Sequence, residues 1–216
     1  MLWVIDDFYP NPDEIRAKAL ELEFRTGQQK VVMHPGSRAL TNAKDQRSNL
    51  YWIKNRQYLK NRWRSICNAE PVEWEKMTSN CAFNLCTNDK AARFSWVHSD
   101  DAQSGPHPMY ACVLYLTPNP PPHSGTIMFS YKGDIRDVQV KDRQAEKHYP
   151  PIRGNYYDSP TSVNPDWRPH VTVENRYNRC IIYEADMLHA PQDAGFGKTK
   201  EEARLTQLGF WYGEKR

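Results

Sequence analysis

Three residues of this sequence have the types and spacing to hold a cation. His98 and Asp100 lie two apart in Trp96-Val97-His98-Ser99-Asp100. On an extended backbone, side chains at i and i+2 leave on the same face, so an imidazole and a carboxylate can converge on one ion. Asp101 offers a second carboxylate, but His98 and Asp101 do not share a face of a strand. A distal histidine from another strand would complete a face of three ligands and leave three octahedral positions open. That arrangement suits non-haem Fe(II) oxygen chemistry, in which a co-substrate and dioxygen must both reach the metal. His189 is the best-placed distal candidate, because the apolar run Cys180 to Tyr183 reads as a buried strand leading to it. His34, His107, His123, His148 and His170 lie in proline-flanked or polar stretches and read as loop or surface residues.

The elements that must position these ligands are short strands. Asn80 to Cys86 is one, and Arg93 to Val97 is a shorter one that delivers His98. Met109 to Thr117 is a strong strand ended by Pro118, and Ser124 to Ser130 reads as a turn into another. Arg179 to Tyr183 and Arg204 to Tyr212 complete the set. The pattern predicts antiparallel strands in a closed or sandwiched sheet with ligands at strand ends. Upstream, Leu2 to Ile5 reads as a strand. Pro12, Asp13 and Glu14 suit the first turn of a helix that runs to about Phe24. A second helix is predicted over 52–67, with Ile53, Leu59, Trp63 and Ile66 as its apolar stripe and a basic, solvated opposite side. Residues 30–49 read as irregular; Arg38 and Arg47 within them are either exposed or line a site. The fold class is therefore mainly β with buttressing helices (α+β), with residues 1–70 as a helical N-terminal support. No flexible linker divides the chain, so 1–216 reads as a single domain.

Composition narrows the function classes. Sixteen prolines against ten glycines imply stiff loops and argue against a helical bundle. The net charge of +3 is spread along the chain, which permits an anionic small substrate but does not argue for a nucleic-acid partner. Cys67, Cys81, Cys86, Cys112 and Cys180 have no zinc-site spacing and read as buried free thiols. No apolar stretch approaches the length of a membrane span, so the expectation is a soluble protein of the cytoplasm.

The order His98-x-Asp100, Tyr115-Leu116-Thr117, Gly125 to Phe129, Asn178 to Tyr183, His189-Ala190 and Arg204-x-Thr206 resembles that of the 2-oxoglutarate- and Fe(II)-dependent dioxygenases. It is closest to their prolyl-hydroxylase-like branch. The opening Val4 to Phe8, followed by Pro12 and a helix, is similar to how members of that branch begin. The likeness is loose over 1–24 and closer over 80–212. It implies a double-stranded β-helix (jelly-roll) core, with Fe(II) held by His98, Asp100 and His189. It also implies 2-oxoglutarate as co-substrate, with Arg204 anchoring its distal carboxylate and Thr206 as the hydroxyl partner. Beside the resemblance, strand alternation places Arg204, Thr206, Leu208 and Phe210 on one face. A guanidinium pointing into a barrel needs a partner, and a dicarboxylate with a nearby hydroxyl supplies one. The other reading is a rim arginine paired with Glu201 or Glu202. Tyr110 and Tyr115 are further hydroxyl donors for the co-substrate; they lie on opposite faces of a regular strand, so only one should reach it.

The reaction implied is hydroxylation of an unactivated C–H bond of a small molecule, amino acid or peptidyl residue, with release of succinate and CO2. The carboxylate ligand argues against a halogenase, which needs that position for halide. Two segments depart from a compact family member. The interval from His189 to Arg204 is longer than the family's usual spacing, with a loop and a helical turn expected in Gln192 to Ala203. The segment 132–176 reads as a lid or substrate wall, or else as a homodimer contact. The rival readings are a cupin-like metal enzyme that does not use 2-oxoglutarate, a noncatalytic binding module on the same fold, and a nucleic-acid demethylase.

Overall fold

Two β-sheets of unequal size face each other, and two helices cover the outer face of the larger one. The computed structural model describes residues 1–26, 36–42, 46, 48–72, 80–89, 94–95, 97–100, 109–131, 152–153 and 167–215. The major sheet contains β1 (Leu2–Ile5), β2 (Arg25–Thr26), β3 (Ser37–Ala39), β4 (Ala69–Val72) and β5 (Phe83–Cys86). It also contains β7 (Met109–Tyr115), β11 (Cys180–Glu184) and β13 (Arg204–Lys215). Their order is β1-β11-β7-β13-β5-β3-β2, with β4 also pairing β13. The minor sheet has the order β10-β8-β12, from β8 (Thr126–Tyr131), β10 (Trp167–Val173) and β12 (His189–Pro191). β6 (Phe94–Ser95) pairs β9 (Ile152–Arg153) apart from both.

The two faces of the major sheet carry different cores, as strand alternation requires. Cys112 and Leu114 of β7, Cys180 and Ile182 of β11, and Leu205 and Trp211 of β13 pack toward the helices. Ala111, Tyr115, Ile181 and Tyr183 point the other way and meet Met128 and Val173 of the minor sheet. The second face is the inside of the sandwich and the side on which a site can form.

The helices form for local reasons. α1 (Pro12–Leu20) has proline in its first turn, Asp13 and Glu14 beside the positive end of its dipole, and Lys18 in its last turn. α2 (Leu50–Cys67) starts where the Asn49 side chain accepts from Tyr51 N at 3.0 Å and stops at Asn68, in the left-handed conformation at φ 47°. α2 buries Trp52, Asn55, Leu59 and Trp63, one face at 3- and 4-residue spacing. The stripe differs from the sequence reading at Ile53, which is exposed, because Trp52 and Asn55 turn inward instead. Trp63 lies flat on Trp211 with centroids 4.4 Å apart, and it fits because residue 209 is glycine: a Cβ there would overlap the Trp63 ring.

Three expectations are corrected. The helical support expected over the first 70 residues also contains strands beyond the expected Leu2–Ile5, since β3 and β2 extend the major sheet at its other edge. Residues 37–39, read as irregular, form β3, with a pattern too short to signal from sequence. The end of the supposed 132–176 insertion is β10, a strand of the minor sheet paired with β8 from Trp167 to Val173. The lid or wall reading otherwise falls on 132–151 and 154–166, outside the described residues. The Gln192 to Ala203 interval is built of turns, with Ala203 N donating to Thr199 O. All five cysteines are free thiols, and all but Cys67 are buried. Among the described residues, no helix is long and apolar enough to cross a membrane.

Candidate metal centre

His98, Asp100 and His189 are brought to one point, with one ligand atom from each lying within 4.8 Å of the others. His98 Nε2 lies 3.7 Å from Asp100 Oδ1, and His189 Nε2 lies 3.3 Å from Asp100 Oδ2. The backbone holds this arrangement. His98 N donates to His189 O at 3.0 Å, and His189 N donates to His98 O at 2.8 Å, so the two histidines form a bridge that extends the minor sheet beyond β12. Asp100 N donates to Ala185 O at 2.8 Å, which ties the second ligand to the turn after β11. Asp101 lies outside the described residues.

The ligands are prepared for a cation. His189 Nδ1–H donates to Met187 O at 3.0 Å, which fixes the tautomer and leaves the Nε2 lone pair directed at Asp100 and His98. A backbone carbonyl thus orients this imidazole. Burial lowers the His189 pKa to about 4, against the opposing pull of Asp100, so its imidazole is neutral at neutral pH.

Tyr183 is the site residue that sequence reasoning missed. Its hydroxyl donates to Asp100 Oδ2 at 3.0 Å and lies 3.1 Å from His189 Nε2. Burial first, and Asp100 second, push the phenol well above its ordinary range, so it stays protonated. A phenol has one proton to donate. When a cation takes the Nε2 lone pair, that proton belongs to Asp100, where it orients the carboxylate. The signal was present in the alternation Cys180 to Tyr183, which puts Ile181 and Tyr183 on one face, but it did not say which face was inside.

Arg204, Thr206 and Tyr115 lie together on the inner face. Thr206 is paired with Tyr115 across β13 and β7. Arg204 is 5% exposed; its Nε donates to Ser124 O at 3.5 Å and its guanidinium carbon stands 5.7 Å from the Tyr115 ring centroid. The rim alternative is not what forms, because Glu202 instead accepts from Lys198 N and Thr199 N, and Arg204 has no carboxylate partner among the described residues. The Thr206 hydroxyl is buried without a hydrogen-bond partner among the described residues. The Tyr115 hydroxyl is hydrogen-bonded to Thr126 Oγ1 at 2.7 Å. Burial raises the Tyr115 pKa, partly offset by Arg204. Tyr110 is a correction: it packs on the helix face against Trp211 and Trp3, centroids 5.6 and 6.0 Å apart, and does not reach the site. Of the other histidines, His123 meets Glu174 at the surface and His170 is exposed; His34, His107 and His148 are outside the described residues.

The donor set suits Fe(II): two imidazoles and one carboxylate on one face. The fold is that of several solved structures. HygX from Streptomyces hygroscopicus, with nickel and 2-oxoglutarate bound, is 14% identical with a TM-score of 0.56, over 99% of this chain and 82% of that one. A prolyl hydroxylase from Trichoplax adhaerens, in complex with a hypoxia-inducible-factor peptide fragment, is 13% identical with a TM-score of 0.56, over 99% and 84%. A prolyl-4-hydroxylase from Pseudomonas putida is 14% identical with a TM-score of 0.52, over 100% and 93%. No curated protein matches the chain. Fold and triad together define the class, a 2-oxoglutarate/Fe(II) dioxygenase-like double-stranded β-helix with a His/Asp/His facial triad. Within that class, the chain belongs to a family of unknown function (DUF6445), matched over residues 1–211.

Proposed function

We propose that this chain, acting as one domain, is an Fe(II)- and 2-oxoglutarate-dependent dioxygenase that hydroxylates an unactivated C–H bond of a small molecule, amino acid or peptidyl residue. The observation that carries the reading is the pairing of a three-ligand face with a buried cation, Arg204, that has no carboxylate partner among the described residues. A buried guanidinium and an unpartnered buried hydroxyl are costly unless a ligand completes them. The spacing also suits a short diacid. His189 pairs with Met128, and Tyr115 bonds Thr126 two residues along β8, a separation of about 7 Å.

In this reading His98, Asp100 and His189 hold the iron, and Tyr183 orients Asp100 by its hydrogen bond. Arg204 and Thr206 hold the distal carboxylate of 2-oxoglutarate, with Tyr115 closing the end of that pocket. The bound metal and co-substrate supply the oxidising power: one oxygen atom of dioxygen enters the C–H bond, the other enters succinate, and CO2 leaves. The apolar inner face, with Met128, Ile181 and Met187, keeps water from the reacting centre.

The direct test is an anaerobic structure with Fe(II) and 2-oxoglutarate, together with succinate release across a panel of amino acids and peptides. Ligation by all three residues and a carboxylate on Arg204 are expected. Arg204→Leu should raise the KM for 2-oxoglutarate at least about tenfold, as loss of a charge-assisted pair requires. Metal uptake without any effect of 2-oxoglutarate would favour a cupin-like enzyme instead, and no metal uptake a binding module.

A further inference from the structure

A second cation lines the inner face, and nothing above uses it. Arg38 lies in β3, where it pairs with Asn84 of β5, and Asn84 pairs with Thr206 of β13. Thr206 in turn pairs with Tyr115. Directly opposed residues point the same way, so Tyr115, Thr206, Asn84 and Arg38 form one row across the inside of the major sheet. The flanks agree: Ala39, Phe83 and Leu85 face the helices, which turns Arg38 and Asn84 inward.

Arg38 is partly buried, and its Nε is fully covered without a hydrogen-bond partner among the described residues. It has no ion pair among the described residues. Burial lowers its pKa to about 10, and Asp100 is the charge that opposes this. The side chain therefore lies within the electrostatic reach of the triad. With a cation among the three ligands, Asp100 no longer balances Arg38, and the field at the guanidinium favours an anion more strongly. Arg38 stands two strand spacings from Thr206, about 10 Å at the backbone, so it marks a different end of the cavity from the Arg204 pocket.

We propose that Arg38 is the substrate anchor, and that the substrate of this site carries a carboxylate that pairs with Arg38 while the oxidised carbon faces the triad. The inference rests on the dioxygenase reading above and sets its substrate class: an acid rather than a neutral sugar or an uncharged internal peptide. A planar guanidinium takes a carboxylate through two parallel hydrogen bonds. The net charge of +3 disfavours no such ligand.

The test uses the protein loaded with Zn(II), which is redox-inert, and saturated with 2-oxoglutarate so that the Arg204 pocket is filled. Acetate and its neutral isostere acetamide are titrated against it, and binding is followed by thermal shift and calorimetry. Acetate should stabilise the protein and acetamide should not. Arg38→Gln should weaken acetate binding at least about tenfold while leaving 2-oxoglutarate affinity as it was, and Arg38→Lys should restore part of it. The ligand-free Arg38→Gln protein should melt at the same temperature or up to about 4 °C higher, because a partly buried charge with no ion pair among the described residues has been removed. A lower melting temperature would make Arg38 structural. Equal shifts with acetate and acetamide, or a loss confined to 2-oxoglutarate affinity, would overturn the assignment. If 2-oxoglutarate itself fails to stabilise the Zn(II)-loaded protein, the dioxygenase reading fails and takes the role of Arg38 with it.

Discussion

Tyr183 and His189 set how the site responds to substitution and to pH. Tyr183→Phe removes the donor that Asp100 Oδ2 has among the described residues while keeping the ring in the cluster with Ile181 and Met128, so the fold should survive. Loss of such an orienting hydrogen bond typically lowers metal affinity or activity about 10- to 100-fold, which Co(II) titration would measure. His189 gives a pH signature. Its pKa is 6.5 when unperturbed and about 4 in the metal-free fold. Between those values the unfolded chain binds the proton and the folded one does not, so stability falls as pH drops from about 6.5 to about 4. The full effect is roughly 3 kcal/mol, present above the window and lost below it. Urea midpoints of the metal-free protein at pH 4.5 and 7.5 should show it, and His189→Gln should flatten the difference.

At the scale of elements, the seat of α2 on β13 decides whether the inner face is held in register. Trp63 stacks on Trp211 over Gly209, and a Cβ at 209 would also stand 2.9 Å from Cys112 Sγ. Gly209→Ala should therefore cost about 1–3 kcal/mol in chemical denaturation, as overpacking does. In a Trp63→Ala background the same change should cost much less, a non-additivity that a double-mutant cycle reads directly. Tyr9, Asn55 and Gln207 form a buried hydrogen-bonded ring beneath the same strand, with Tyr9 OH donating to Gln207 at 2.8 Å and Gln207 donating to Asn55 at 3.0 Å. That ring joins the N-terminal segment, α2 and β13 immediately behind Thr206. The helices position the co-substrate face from outside it.

Across the whole molecule, the metal centre is where distant parts of the chain close on one another. His98 reaches His189 through the bridge that ends the minor sheet, Asp100 is tied to the turn at Ala185, and β1 covers β11 from Leu2↔Tyr183 to Ile5↔Cys180. A cation that binds only this folded arrangement stabilises it by mass action, about 2.7 kcal/mol at a hundredfold excess over Kd. Zn(II) should raise the melting temperature of the native chain, and the shift should vanish in His98→Ala and Asp100→Ala. An equal shift in those variants would place the metal elsewhere.

The sequence alone determined that His98 shares a face with Asp100 and Arg204 with Thr206, and the antiparallel strand plan. The reason is that these follow from spacing: a two-residue period fixes which side chains share a face, whatever the partner strand. It could not choose between Tyr110 and Tyr115, because alternation separates faces without saying which is inside. Only the packing of Trp211 and the helices on one side and Met128 on the other settled that. Tyr183 and Arg38 became site residues for the same reason. Their places depend on the order β11-β7-β13-β5-β3, a set of pairings between segments far apart in the chain, and no local pattern encodes which strands lie side by side.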